Sequence, residues 1–384
     1  QDLAKKIIFP FIGNFMSENE LSDIINKSYS VFRKDSVVHL IKIENTNLLE
    51  LFHGPTLAFK DIAMQLLGNF YQHYLNKNNN NINVIVATSG DTGAAAIDAI
   101  KGKKNMNIFV LHPHNKVSIV QRKLMSTVKE KNVFNIALEG NFDDCQNLVK
   151  LMFSDKEFCN SINMSGVNSI NWARIIAQSV YYFYTYFLLK NKKPINFSVP
   201  TGNFGDVYAG YLSKKMGLPI NKFIVATNQN DILHRAISKG KYEAETVSET
   251  ISPSMDIQIA SNFERLIYDL NNHDDIETKN VMAKIKKEGK YIISKENLMK
   301  IQKDFLSESM SENETLNTIR EVYEKYKIIL DPHSAIGFGA LKKIKLKENN
   351  VVLATAHPSK FPEAISKSIN VKPGLPDKLK YVLD

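Results

Sequence analysis

Apolar positions recur along this chain in two rhythms. Short runs rich in β-branched and aromatic residues stand at Ile82–Thr88, Ile108–Leu111, Val133–Leu138, Ile195–Pro200, Phe223–Thr227 and Val351–Thr355. Bounded by glycine and polar residues, such runs predict strands. Between them lie segments of helical pattern: Asp61–Leu75, Ala94–Ile100, Ser118–Lys129, Asp143–Phe153, the later part of Asn168–Leu189, Val207–Met216, His333–Lys345 and Phe361–Ile369. Strands alternating with helices at this spacing predict α/β architecture with mostly parallel sheets and helices on both faces. From Gln229 to Arg320 the periodicity loosens into charged helices and polar loops, which reads as an irregular helical insertion, and the pattern resumes at Lys327–Leu330. With no repeat or low-complexity linker, the chain reads as two interleaved α/β domains with a cleft between them. The expected division is an N-terminal segment 1–60, which includes Ile7–Asn26 and Glu50–His53, an α/β domain 61–190, and a larger α/β domain 191–384.

Composition narrows the class. With 384 residues, 43% of them hydrophobic, the chain can bury a large core, and roughly 150 residues per domain points to two or three domains. No apolar run reaches the roughly 18 residues of a membrane span. Val180–Leu189 is short, tyrosine-rich and followed by Lys190-Asn191-Lys192-Lys193, so it reads as a buried helix, not a membrane segment. The two cysteines, Cys145 and Cys159, are too far apart for a CxxC pair and too few for a disulfide framework, which fits a reducing compartment. The net charge of +9 rests on scattered lysines without interleaved aromatics, so it does not describe a nucleic-acid surface. It suits a small anionic substrate, and equally a background rich in lysine, isoleucine and asparagine. No metal-ligating cluster stands out. The chain opens on Gln1 with no signal-peptide pattern, so its natural start is expected to be missing.

The chemistry begins at Leu51-Phe52-His53-Gly54-Pro55-Thr56-Leu57-Ala58-Phe59-Lys60-Asp61. Lys60 follows a Gly-Pro turn and an apolar run, just where a helix begins. The positive helix end disfavours the ammonium form, and apolar neighbours add desolvation in the same direction. A lysine so placed can act as an amine nucleophile toward a carbonyl or pyridoxal phosphate.

Four further clusters sit at strand ends or helix starts. Gly202-Asn203-Phe204-Gly205-Asp206 follows a strand and opens a helix, which is either a structural turn or a cradle of backbone N–H groups for a phosphate. It has neither Walker nor dinucleotide-fold spacing. Ser89-Gly90-Asp91-Thr92-Gly93 adds two hydroxyls and a carboxylate at a helix start. That set suits a substrate carboxylate or a plain helix cap. In Asn168-Ser169-Ile170-Asn171-Trp172-Ala173-Arg174 the arginine lies early in a helix, where the dipole repels it. Its partner is either a neighbouring acid or a bound anion, with Asn168 and Arg174 as donors. Thr355-Ala356-His357-Pro358 ends a strand, the place where open α/β sheets bind ligands. Asp331-Pro332-His333-Ser334 reads as a helix start.

Taken together, His53–Asp61, Ser89–Gly93, Asn168–Arg174, Gly202–Asp206 and Thr355–Pro358 resemble, in order and over nearly the whole chain, the motifs of the threonine synthase family. These are pyridoxal-phosphate enzymes of the tryptophan-synthase-β-like fold, fold type II. Ser254-Met255-Asp256 and Asn228–Asp231 also resemble family segments, whereas the family's N-terminal segment is largely lacking. The resemblance implies that the cofactor lies in the cleft, held covalently by Lys60, which then moves protons as base and acid. It implies that Gly202, Asn203, Phe204, Gly205 and Asp206 hold the cofactor, the turn's amides taking its phosphate. Asp91 would face the cofactor ring oxygen or substrate carboxylate, and Thr355 the pyridine nitrogen. Ser89 and Thr92 would serve as hydroxyl donors to substrate. Arg174, Asn168 and Thr88 or Ser89 would neutralise the substrate phosphate. The implied reaction turns O-phospho-L-homoserine and water into L-threonine and phosphate. Alternatives are a phospholyase giving 2-oxobutanoate, phosphate and ammonia, a threonine or serine dehydratase, and a catalytically silent binding relative. A cytoplasmic monomer or homodimer with no nucleic-acid or membrane partner completes the expectation.

Overall fold

The computed structural model describes residues 1–34 and 36–382. The chain forms two compact units. One comprises Gln1–Val37, Leu51–Ala177 and Gly374–Asp384, and the other Val38–Glu50 and Gln178–Pro373. In chain order the strands are β1 His39–Ile43, β2 Thr46–Glu50, β3 Ile82–Ala87, β4 Met106–Pro113, β5 Val133–Leu138, β6 Met164–Ser165, β7 Ile195–Pro200, β8 Ile220–Thr227, β9 Lys241–Glu243, β10 Lys290–Ile292, β11 Phe305–Ser309 and β12 Asn350–Ala354.

The first unit holds a parallel four-stranded sheet in the order β5-β4-β3-β6. Val84, Val86, Ile108 and Val110 are buried in its core with Met64 and Leu67 of the helix Lys60–Asn78 and Ala94–Ile97 of the helix Asp91–Ile100. Leu375, Leu379 and Val382 join that same core. The two helices approach so closely that a Cβ on Gly68 would lie 2.5 Å from the Ala99 carbonyl oxygen. Glycine is therefore required there by space, although it lowers the helix propensity of an otherwise strong helix former.

The second unit is built on a six-stranded sheet in the order β1-β2-β12-β7-β8-β11. All its neighbours are parallel except the β1–β2 hairpin. Parallel strands buried on both faces need apolar side chains throughout, and Val351, Val352 and Leu353 of β12 are fully buried. Phe197, Phe204, Phe223, Phe263 and Phe305 are buried as well, and Phe204 packs its ring 5.4 Å from Phe263 and 5.7 Å from Phe305.

The α/β class is as the periodicity predicts, and the structure departs from the reading at four places. The stretch 229–320 is mainly helical, yet it also supplies β11, which pairs in parallel with β8. Only Phe305 of β11 is fully buried, and a half-exposed edge strand carries little apolar signal. The β1–β2 hairpin was not read as strands, although Leu48 and Leu49 lie between β1 and β12. Lys327–Leu330 contains no strand; Lys327 caps the preceding helix in a left-handed conformation, and the chain runs on to Asp331. In the helix Trp172–Leu189, Tyr181 and Tyr182 are buried, but Phe187 is 58% exposed, so the burial expected for 180–189 ends before its last turn.

Placing a methyl on Gly68 forces it against backbone that cannot rotate away. Gly68→Ala is expected to lower unfolding free energy by about 1–3 kcal/mol, as read by urea unfolding; an unchanged midpoint would show that the two helices can separate without cost.

Candidate active site

Lys60 is the first residue of its helix and is 7% exposed. Its Nζ lies 3.6 Å from Asp91 Oδ2 and 5.3 Å from the centre of the Phe59 ring. The loop leading to it is fixed by two groups. Asp61, fully buried, accepts the Thr56 N–H at 2.8 Å and the Thr56 hydroxyl at 2.5 Å. Arg33 donates through Nη2 to the Phe52 carbonyl at 2.8 Å and through Nη1 to the Gly54 carbonyl. A Cβ on Gly54 would sit 2.4 Å from the Asp61 carboxylate, and Leu57 takes a left-handed φ of 64°. That conformation is costly for a non-glycine residue, so the surrounding bonds must hold it.

Thr88 follows β3 and is buried; its Oγ1 accepts the N–H groups of Gly90 at 2.9 Å and Gly93 at 2.8 Å. This caps the helix Asp91–Ile100 from outside, which is a structural use for a residue expected at the substrate. Gly90 has φ 129°, and a Cβ there would meet the Gln121 side chain at 2.5 Å. Gln121, fully buried, donates to Asp91 Oδ1 at 2.8 Å while its Oε1 accepts the Ser118 N–H. Asp91 is thus pinned on one oxygen and turned toward Lys60 with the other. Ser89 and Thr92 flank it, half-buried. Arg174, 3% exposed, stands in the first turn of the helix Trp172–Leu189 and donates to the Val167 carbonyl at 3.0 Å. Asn168 is exposed, in the loop before that helix.

In the second unit, Gly202 to Asp206 form the turn between β7 and the helix Gly205–Lys215. Phe204, at φ 67°, points into the aromatic core and anchors the turn. A Cβ on Gly202 would meet the Ser254 carbonyl oxygen at 2.9 Å and Met255 Cα at 3.2 Å. Asn203 Oδ1 accepts the Gly205 N–H at 2.9 Å, and the N–H groups of a helix start in general suit an anion. Asp206 is buried; Tyr181 and Tyr182 both donate to its Oδ1, Tyr182 at 2.8 Å, and Oδ2 has no hydrogen-bond partner among the described residues. Burial pushes its carboxyl up to about 6, against the opposing tyrosine hydrogen bonds. Asp206 therefore secures the helix start to the tyrosines. Thr355 follows β12, 5% exposed, and donates its backbone N–H to Ser334 Oγ at 3.1 Å. His357 accepts the Ser359 N–H through Nδ1 at 3.2 Å.

Sequence reasoning missed Arg33, Gln121, Tyr181 and Tyr182. Only Gln121 carries a local signal, since Ser118-Ile119-Val120-Gln121 has capping-box spacing. Taken one by one, the groups suit parts of pyridoxal phosphate: an enclosed amine its aldehyde, a glycine turn at a helix start its phosphate, and a strand-end hydroxyl its ring nitrogen. Among the described residues no group of three or more His, Cys, Asp or Glu side chains could hold a metal ion.

An enclosed lysine at a helix mouth, in an α/β fold of parallel sheets, suits a pyridoxal-phosphate-dependent enzyme, and the family match shows that class. The family described as pyridoxal-phosphate dependent enzyme matches residues 47–293, and that described as threonine synthase, C-terminal, matches residues 334–384. The threonine synthase of Pseudomonas aeruginosa is 46% identical over 98% of this chain and 82% of that protein. The threonine synthase of Saccharomyces cerevisiae is 43% identical over 99% of this chain and 82% of that protein. The crystal structure of pyridoxal-phosphate-bound threonine synthase from Brucella melitensis superposes with a TM-score of 0.95 at 46% identity, covering 100% of this chain and 83% of that one. The chain belongs to the threonine synthase family.

Burial of the Asp206 carboxyl makes the stability of the fold depend on pH. The unfolded carboxyl ionises near 3.8 while the folded one keeps its proton to about 6, so the fold loses stability as pH rises through that window and the loss is constant above it. In cofactor-free protein, Asp206→Asn should gain on the parent across this window by on the order of 3 kcal/mol. Urea unfolding at a series of pH values reads the difference, and a flat difference would remove the assignment.

Proposed function

We propose that this chain converts O-phospho-L-homoserine and water to L-threonine and phosphate, the last step of threonine biosynthesis. The observation that carries the reading is the enclosed Lys60 amine beside Asp91, in a chain that matches threonine synthases over almost its full length. When bound, pyridoxal phosphate supplies the electron sink that makes the substrate's carbon-bound protons removable. Lys60 is the group that takes and returns those protons at its Nζ. Apolar Leu57 and Ala58, both fully buried, shield it from bulk water, and Asp91 sets which way the amine faces.

The substrate is an amino-acid phosphate, and its phosphate leaves only if its charge is neutralised. Arg174 balances that charge, with Asn168 and Ser89 as further donors, while Thr92 offers its hydroxyl to substrate beside Asp91. Thr88 keeps Ser89 and Asp91 in place by holding the Gly90 and Gly93 N–H groups. The N–H groups of the Gly202–Gly205 turn take the cofactor phosphate, Asn203 orders that turn, and Thr355 offers its hydroxyl to the ring nitrogen. A neutral hydroxyl there does not keep the nitrogen protonated, which moderates the electron sink. Two free cysteines, Cys145 and Cys159, suit the reducing cytoplasm, and the expected assembly is a monomer or homodimer. Among the described residues no helix is long and apolar enough to cross a membrane.

The test is incubation of purified protein with pyridoxal phosphate and O-phosphohomoserine, measuring phosphate and organic product together. Equimolar phosphate and threonine are expected; phosphate with 2-oxobutanoate would replace the reading by a phospholyase. Lys60→Ala is expected to abolish turnover and the visible absorbance band of the bound cofactor. Arg174→Ala should keep the band and lower kcat/KM by about a hundredfold, the value of a lost charge-assisted hydrogen bond. Unchanged turnover in Arg174→Ala would overturn the phosphate assignment.

A further inference from the structure

Asp331, the N-cap of the helix Pro332–Ile344, makes more contacts than capping requires. Its side chain is fully enclosed and accepts from four donors. The His333 N–H and ring Nδ1 meet Oδ1, each at 2.9 Å, and the Ser334 N–H at 3.2 Å and the Ser334 hydroxyl meet Oδ2. Capping uses only the two backbone N–H groups. The other two bonds lead to places already assigned to the cofactor.

Because the Ser334 hydroxyl proton is committed to Asp331, the Ser334 oxygen faces Thr355 as an acceptor and takes its N–H at 3.1 Å. Because His333 gives its Nδ1 proton to Asp331, its Nε2 is an acceptor and takes the Ser254 N–H at 3.4 Å. Ser254 in turn presents the carbonyl oxygen that a Cβ on Gly202 would strike at 2.9 Å. The Asp331 carboxylate thus stands at the root of both branches: one ends on Thr355, the other on the segment packed against the Gly202 turn.

We propose that Asp331 is a positioning residue for the cofactor. Through Ser334 it holds the Thr355 backbone so that the hydroxyl meets the ring nitrogen, and through His333 it holds Ser254 against Gly202. This rests on the assignment of Thr355 made above. Ser334→Ala breaks the Thr355 branch while leaving both capping N–H bonds of Asp331 in place.

The test is a double-mutant cycle on the full chain, with the Kd for pyridoxal phosphate read by absorbance titration and the ring-nitrogen 15N shift of labelled cofactor read alongside. Ser334→Ala should weaken cofactor binding about tenfold, the value of one lost hydrogen bond, and move the 15N signal. In a Thr355→Ala background the same substitution should have little further effect, since the hydroxyl it serves is gone. Additive effects of the two substitutions, or a parent-like Kd and 15N shift in Ser334→Ala, would overturn the proposal. Should Ser334→Ala fail to fold, Ser334→Cys replaces it in the cycle, its thiol being a weaker hydrogen-bond partner. A parent that binds no pyridoxal phosphate, or a Thr355→Ala protein with parent Kd and 15N shift, would overturn the Thr355 assignment and the relay with it. A Thr355 effect with an additive Ser334 effect removes the relay alone.

Discussion

The Asp61 carboxylate is the constraint on which the lysine depends. It is fully enclosed, takes both donors of Thr56 and occupies the space that a side chain at Gly54 would need. An unsatisfied buried carboxylate is costly enough to shift its protonation or reorganise its surroundings, so the loop closes around it in one conformation. Leu57 is carried into the left-handed region as part of that closure. The residue next to Asp61 is Lys60, and the amine inherits its position from a neighbour that does no chemistry.

Asp91, Asp206 and Asp331 repeat the device with different partners. Each stands at the start of a helix, where the dipole favours negative charge, and each is held by side chains remote in sequence or by its own helix. Gln121 pins Asp91, and Tyr181 and Tyr182 pin Asp206. Asp331 instead takes the N–H groups of His333 and Ser334 directly. A helix start already satisfied by its own acid is a poor phosphate site, whereas one whose acid has turned away to tyrosines keeps its N–H groups for an anion. That distinguishes the Gly205–Lys215 helix from the Pro332–Ile344 helix, although both begin near an aspartate.

Residues whose role follows from local pattern were legible in the sequence. Lys60 after an apolar run, the glycine turn after β7 and Thr355 at the end of β12 all lie where strand and helix periodicity puts them. Residues whose role comes from a distant partner were not. Arg33 reaches carbonyls 19 and 21 residues away with nothing in its flanking sequence to mark it, and the capping-box spacing of Gln121 gives no hint that it reaches Asp91 across 30 residues. Burial misled in both directions. β11 shows one fully buried side chain in five and so hid its place in the sheet, while Phe187 and Leu188 look like core residues and lie exposed. Asp331-Pro332-His333-Ser334 was read correctly as a helix start, but its second set of hydrogen bonds depends on the tertiary fold.

The first unit takes Leu375, Leu379 and Val382 into the core it builds from residues between Leu57 and Ala173. A ribosome makes these three only after the whole of 178–373. During translation the core of the first unit therefore waits, with part of its apolar surface uncovered, through the synthesis of nearly two hundred intervening residues. Exposed apolar surface of this kind is what chaperones bind and what aggregates. The last few apolar residues of the described chain thus close the first unit's core only after the second unit has been made.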